Sequence, residues 1–341
     1  MARSKGEPRR VTLEDVARRA GVSVATASKV MNGRAAVKQS TRAAVAEAAQ
    51  DLGYEQRRRT TRERRSIAVH LETVDSSYVM EVFAGLLHAA RRSGVDLVVS
   101  SLGGGGLTRE WMAEVASREV SGVIAVVTRI GREHVRWSRS LSLPLIAIDP
   151  VIEEPGLSGV LTVTATNWEG GADAVRHLLE LGHSRIGILA GPPDSVPGRQ
   201  RLEGYRSALG NAGIAVDETL VDTRDFSSTA GEVGAGRLLD LAEPPSAVFA
   251  TSDALALGTL RAAAARGIAV PEQLSVVGFD DTVMTGWTYP PLTAVSQPLF
   301  SMGQVSVERL LALAADPGAF SHPFKLETAL VVRSSTAPHR P

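Results

Sequence analysis

A chain of 341 residues suits two or three domains, and its 37 basic and 37 acidic residues cancel to a formal net charge of zero. It is 44% hydrophobic but only 4% aromatic, enough for an Ala/Val/Leu-rich core, and its lack of cysteine excludes disulfides, thiolate zinc sites and cysteine nucleophiles. No apolar run nears the roughly 18 residues of a membrane span, and MARSKGEPRR lacks the apolar core of an export signal, so a cytoplasmic protein is expected.

Residues 1–10 are polar and basic, an arm rather than an element. Thr12 with Asp15 makes a capping-box pattern, and Leu13, Val16, Ala17 and Ala20 recur at i, i+3, i+4, i+7, one apolar helix face. Gly21 ends that helix and Ser23 caps a second. On the second helix Ala25, Ser28, Lys29 and Asn32 share one face, while Ala27, Val30 and Met31 lie largely on the other. Gly33 closes it. Ser40 caps a third, striped by Val45, Ala48, Ala49 and Leu52 and ended by Gly53.

Two short helices around a Gly-containing turn, braced by a third, form the helix-turn-helix layout, whose second helix enters the DNA major groove. A small helical bundle with no DNA to bind shows similar stripes, and charge separates the two readings. Residues 1–65 hold 16 Lys+Arg against 7 Asp+Glu, which leaves 21 against 30 for residues 66–341. A basic head on an acidic body suits phosphate binding at one end only. The segment EQRRRTTRERRS follows, with Arg57, Arg58, Arg59, Arg62, Arg64 and Arg65. It is a solvated linker that can also grip phosphates or enter a narrow minor groove.

From Ser66 the pattern changes. Strands SIAVHL, VDLVVSSL, VSGVIAVV and LPLIAID are interleaved with helix VMEVFAGLLHAARRSG and a helix ending at Arg118. The rhythm restarts at Asn167, with strands RIGILAG, Thr219–Thr223, AVFATS, LSVVGFD and ETALVV separated by helices. Continuous apolar strands between amphipathic helices predict two α/β subdomains with parallel sheets, and a ligand cleft at the carboxyl ends of their strands. Gly103–Gly106 lacks the spacing of a phosphate loop and is a connector. The seven histidines show no metal-binding spacing, and no Gly-x-Ser-x-Gly elbow is present. No enzyme, metal or cofactor is expected.

The stretch TLEDVARRAGVSVATASKVMNG closely resembles the headpiece of the LacI/GalR family of bacterial transcriptional regulators, and the resemblance continues to the C-terminus. It implies a multidomain chain with an all-α helix-turn-helix headpiece at 1–56, a hinge at 57–66 and a two-lobed α/β body at 67–341, like the periplasmic binding proteins. The first lobe would take about 67–166 and 298–326, the second about 167–297 and 327–341. The chain would cross between them near Asp149–Asn167, Thr293–Pro298 and Phe324–Glu327. Relatives usually carry an Asn-Pro-x-x-Ala-x-x-Leu-like hinge helix whose leucine wedges into the minor groove. This hinge has no leucine and looks shorter, so an arginine-driven hinge is expected instead.

Sugars are held by planar side chains that bond hydroxyls in pairs and by an aromatic face against the ring. By resemblance, Arg201 in GP-x8-R-x-x-GY is the effector clamp, Phe226 in RDFSS the stacking aromatic, and Asp280 in VVGFDD a hydroxyl acceptor. Asp149 ends a strand, and Asn167 opens the second lobe with Thr166 in place of the family's Asp. Tyr78 stands where relatives have Phe, and Asp253 follows Ser252 where Asn is common. Glu72 and Thr73 replace Pro and Asp, and a carboxylate at Glu72 would favour polyhydroxyl or amine-bearing ligands over phosphates. Structural alternatives stand beside these: Asp280 as a turn cap, Phe226 as core, Arg201 paired with Glu203 or Asp194.

The expected protein is thus a ligand-responsive repressor of carbohydrate-use genes that binds a palindromic operator in double-stranded DNA as a homodimer. Val24 and Ala25 would meet a thymine methyl or allow close approach, and Lys29 would reach a guanine. Ser23, Thr26, Ser28 and Asn32 would anchor phosphates, with Thr12, Leu13, Arg57, Arg58 and Arg59 beside them. The tail SSTAPHRP has no leucine heptads, so a dimer rather than a tetramer is expected. The rival readings are a transport-linked sugar-binding protein and a regulator that answers to no small molecule.

Overall fold

The computed structural model describes residues 12–31, 38–52, 66–100, 106–152, 159–316, 318–319 and 322–340. The expectations for residues 1–10, Asn32, Gly33, Gly53, Arg57, Arg58, Arg59, Arg62, Arg64, Arg65 and Gly103 to Gly105, and for the side chains of Leu13, Ser28, Lys29 and Met31, lie outside the described residues. Contacts divide the chain into two units, one ending at Arg64 and one beginning at Arg65.

Among its described residues the first unit has three helices, α1 (Leu13–Arg19), α2 (Val24–Met31) and α3 (Gln39–Asp51). Thr12 and Asp15 close the capping box in both directions, and the Ser23 hydroxyl accepts the Thr26 amide at 3.1 Å. The core is Val16, Ala17, Ala27, Val45, Ala48 and Ala49, so the apolar stripes of the three helices meet. One expectation fails. Ser40 lies inside α3, which begins after Lys38 with no side-chain cap.

Among its described residues the second unit holds two six-stranded sheets. The first is built from β1 (Ser66–Leu71), β2 (Asp96–Ser100), β3 (Val123–Val126), β5 (Leu145–Ile148), β7 (Leu161–Ala165) and β13 (Phe324–Leu326). Its order is β13-β7-β5-β3-β1-β2, all parallel. Helices α4 (Ser77–Ser93), α5 (Arg109–Ser117) and α6 (Arg132–Ser140) connect these strands, and a short ribbon pairs β4 (Arg129–Ile130) with β6 (Val151–Ile152).

The second sheet contains β8 (Ile186–Ala190), β9 (Val221–Thr223), β10 (Ala247–Ala250), β11 (Ser275–Asp280), β12 (Thr293–Ser296) and β14 (Ala329–Val331). Its order is β14-β12-β11-β10-β8-β9, parallel except for the antiparallel edge strand β14. Helices α7 (Asn167–Glu180), α8 (Val196–Asn211), α9 (Ser228–Leu239) and α10 (Asp253–Ala265) cover it, while α11 (Leu299–Ala315) returns to pack on α4.

The backbone therefore passes between the sheets three times, after Ala165, after Ser296 and after Leu326. The first and third passages are strapped together. Thr166 donates its amide to Leu326 O at 2.9 Å, and its hydroxyl accepts the Thr328 amide at 2.9 Å. The Thr166 side chain thus has a structural use.

Helix α6 escaped the sequence pattern for a physical reason. REHVRWSRS buries only His134 and Val135, so it has no apolar stripe to read. Strands β7, β12 and β13 were expected only as crossings, and they are short strands that lead into them.

Three helix pairs share one packing device. A side chain on Gly204 would meet the Trp168 and Ala172 backbone of α7, and one on Gly171 the Arg201 backbone of α8. The same reciprocity joins Gly231 with Gly258 between α9 and α10, and Gly85 with Gly303 between α4 and α11. In each pair backbone rests on backbone. His183 is structural. Its ring bonds Ser246 and Ser275 and faces the carbonyl of Ala337, which pins the C-terminal segment.

Candidate functional site: a polar network between the lobes

The residues singled out by sequence converge from both lobes. Asp149 follows β5 and Asp280 ends β11, and both stand on positive φ, 42° and 104°. Asp tolerates this backbone better than most residues, and such strain collects at functional sites. The Tyr78 hydroxyl donates to Asp149 Oδ2 at 2.7 Å, and the Thr164 hydroxyl donates to Oδ1. Asn167 Nδ2 donates to Thr164 Oγ1 at 3.1 Å and so carries the network into the second lobe.

Arg201 is the hub. Its Nε donates to Asn167 Oδ1 at 2.8 Å, and its Nη1 donates to Thr251 O at 2.6 Å and Asp280 Oδ1 at 3.4 Å. The guanidinium lies 3.7 Å over the Phe279 ring. Neither alternative partner holds it. Glu203 pairs with Arg206, and Asp194 with Arg129. Gln297 Nε2 completes the set by donating to Asp280 Oδ1 at 2.6 Å.

Burial dominates the electrostatics. It pushes the Asp280 carboxyl up to about 6, opposed by the Arg201 charge and the Gln297 bond. It also raises Asp149, opposed by the Thr164 bond and Arg201, and holds the Tyr78 hydroxyl well above its ordinary value. The centre thus sets two buried carboxylates against one cation.

The other expected residues are placed less centrally. Asp253 accepts the Thr282 amide at 2.7 Å and hydroxyl at 2.8 Å, which locks the turn after β11. Burial and the neighbouring Asp280 raise its carboxyl well above the usual range. Phe226 packs over Gly191 and Gly198, leaving no room for a side chain at Gly191. Glu72 is half-buried in the loop after β1. In the head, Val24 and Ala25 are exposed and Thr26 is half-buried, with its hydroxyl 2.8 Å from that of Ser23.

Sequence reasoning missed Gln297, although it lies in a crossing already singled out. The signal was its position between a strand end and Pro298, next to the passage that the cleft must span. Its Oε1 is buried with no hydrogen-bond partner among the described residues. An unmatched buried acceptor is costly, and a ligand hydroxyl is a natural donor for it. No group of three or more His, Cys, Asp or Glu among the described residues is arranged to hold a metal. No helix of the described residues is long and apolar enough to cross a membrane.

A helix-turn-helix head joined to a two-lobed body with a polar site between its sheets defines a ligand-responsive DNA-binding regulator. The chain belongs to the lacI family of bacterial regulatory proteins, whose pattern it matches over residues 12–56, with a periplasmic binding protein-like domain over residues 175–336. It is 37% identical to the HTH-type transcriptional regulator CelR of Thermobifida fusca, over 96% of this chain and 98% of the relative. The HTH-type transcriptional repressor CytR of Escherichia coli (strain K12) is 31% identical over 98% of each chain. Among solved structures it is similar to the transcriptional regulator CelR–cellobiose complex, with a TM-score of 0.73, 34% identity and cover of 96% of this chain and 100% of the other. The lac repressor dimer bound to operator and the anti-inducer ONPF gives a TM-score of 0.71 at 28% identity, with the same cover. The family is one of transcription regulators, not enzymes.

Proposed function

We propose that this chain is a cytoplasmic repressor of carbohydrate-use genes that releases or grips a near-palindromic operator according to a neutral, hydroxyl-rich effector bound between its lobes. The network from Tyr78 and Asp149 through Asn167 and Arg201 to Asp280 carries this reading. It joins both lobes and leaves Gln297 Oε1 open as an acceptor. Asp149, Asn167, Arg201, Asp280 and Gln297 would bind ligand hydroxyls, Glu72, Tyr78 and Phe226 would line the site, and Asp253 would fix its floor. CelR, solved with cellobiose, supports a saccharide of one or two rings.

In the head, α2 would lie in the major groove. Val24 and Ala25 would approach base edges, Lys29 would bond guanine, and Ser23, Thr26, Ser28 and Asn32 would hold phosphates, helped by Thr12, Leu13, Arg57, Arg58 and Arg59. Two heads need two copies. Trp287 is 78% exposed and Tyr289 is 98% exposed, which supports a second copy covering this loop.

The test is a pair of measurements on the full chain. Melting temperature is followed against cellobiose, ribose, glucose 6-phosphate and cytidine, and gel shifts follow a palindromic operator with and without any stabilising compound. Stabilisation by a neutral saccharide with changed operator affinity is expected. A compound that stabilises the body without altering DNA binding would overturn the regulatory reading.

A further inference from the structure

The site around Arg201 is braced from the opposite lobe. Arg129 begins β4 in the first lobe, and its Nη1 donates to Asp194 Oδ2 at 2.7 Å. Asp194 lies in the segment that leads from β8 into α8. Across the ribbon Arg129 stands opposite Val151, and Val151 forms an antiparallel bridge with Ser195. Ser195 is the N-cap of α8, with its hydroxyl accepting the Gly198 amide at 3.2 Å. Arg201 follows in the same helix, less than two turns from that cap. An ion pair, a backbone bridge and a helix cap thus run in one line from the first lobe to the hub of the effector network.

We propose that Arg129 is a positioning residue for the effector site. By clasping Asp194 it seats the start of α8 against the first lobe, and so sets where Arg201 stands relative to Asp149. This rests on the effector reading given above. A separate contact holds the lobes at other elements, where Glu81 Oε1 of α4 accepts the Val283 amide at 2.9 Å. Loss of the clasp therefore lets the lobes turn about that contact instead of parting.

The two side chains are 53% and 40% exposed, so water and salt weaken their attraction. A pair of this kind moves an equilibrium a few-fold. That scale suits a device which biases the lobes toward the seated arrangement while leaving an effector room to complete it.

The chain has no cysteine, so Glu110→Cys on α5 and Glu272→Cys in the second lobe give a unique pair of sites for spin labels. Labelled subunits are diluted into unlabelled ones, and the distance within one chain is read by pulsed electron resonance on ligand-free protein. Arg129→Glu is expected to broaden the distance distribution and shift the seated-to-unseated ratio about three- to tenfold. Wild type in about 0.5 M sodium chloride moves the same way. The exchange of Arg129→Asp with Asp194→Arg returns the wild-type distribution. If Arg129→Glu melts early, Arg129→Gln carries the same measurement with little change of shape.

An unchanged distribution in the folded variant overturns the proposal, and so does a shift that the exchanged pair fails to reverse. No ligand enters the experiment, so failure of the effector reading would show separately, in the melting screen.

Discussion

Arg201 Nε donates to Asn167 Oδ1 at 2.8 Å, so the cation of α8 is held by the first residue of the helix that follows the first passage between sheets. The same Asn167 reaches Thr164, which bonds Asp149 in the other lobe. One buried chain of donors and acceptors therefore records the relative setting of the two lobes. A ligand that adds bonds to it acts on that setting directly.

Removing the guanidinium should be the most damaging single change in the body. Arg201→Met leaves Asp280 without its counter-charge and Asn167 Oδ1 and Thr251 O without that donor. Breaking a buried pair from one side costs about 3–5 kcal/mol. Urea unfolding should show a loss of that order, and any ligand that stabilises wild type should no longer shift the midpoint. A variant with wild-type stability and ligand response would remove Arg201 from the site.

The raised Asp280 carboxyl predicts a direction for pH. Its folded value of about 6 lies above the roughly 3.9 of an unfolded Asp, so the folded chain holds the proton more tightly between those values. Stability from this group is present at low pH and is lost as pH rises from about 4 to about 6, on the order of 3 kcal/mol. Asp217 and Asp240, held low by Thr219 and Arg266, act in the opposite sense. They act alike in wild type and variant and cancel in the difference, whereas Asp253, which Asp280 helps to raise, falls back toward its ordinary value in the variant and adds to the effect in the same direction. Asp280→Asn should therefore grow more stable relative to wild type as pH rises through this window, as unfolding at about pH 4.5 and pH 7 would show. A constant difference would mean that Asp280 does not titrate there.

Lys29→Ala on α2 should weaken operator binding by about 1–3 kcal/mol and relax preference at one base pair per half-site. Fluorescence anisotropy on the operator and on scrambled duplexes distinguishes base reading from backbone contact. An equal loss on both duplexes would assign Lys29 to phosphate.

Trp287→Glu together with Tyr289→Glu should leave the lobes folded and shift the chain toward monomer, since both rings are exposed in the single chain. Sedimentation velocity reads the change, and operator affinity should fall with it, since one head alone holds half a site. Unaltered dimers would move the interface elsewhere.

Much of the fold was legible because its signals are local. Thr12, Asp15, Ser23 and the apolar stripes specify the head, and runs such as SVVGFD and IGILA specify buried parallel strands. The site was legible in part. Arg201, Asp149, Asn167 and Asp280 stand at strand ends or helix starts, where cleft residues belong. Gln297 was not, because nothing within a few residues of it reveals that Asp280 lies alongside. Asp253 carried the expected chemistry but spends Oδ2 on Thr282 and Oδ1 on the Asp281 amide, partners set by tertiary turn geometry. The glycine-paired helices were equally hidden, since each Gly matters only through a partner on another helix, such as Gly204 for Gly171.

Those glycines bear on how a signal can travel. With main chain lying against main chain at each crossing, α4–α11, α7–α8 and α9–α10 have no side-chain cushion to compress, and each lobe should turn as a block. Information about an occupied cleft would then be carried by rotation about the strapped passages at Thr166 and Thr328. Substitutions deep inside a lobe should alter how much folded protein a cell accumulates, whereas those at the straps should alter how strongly it answers.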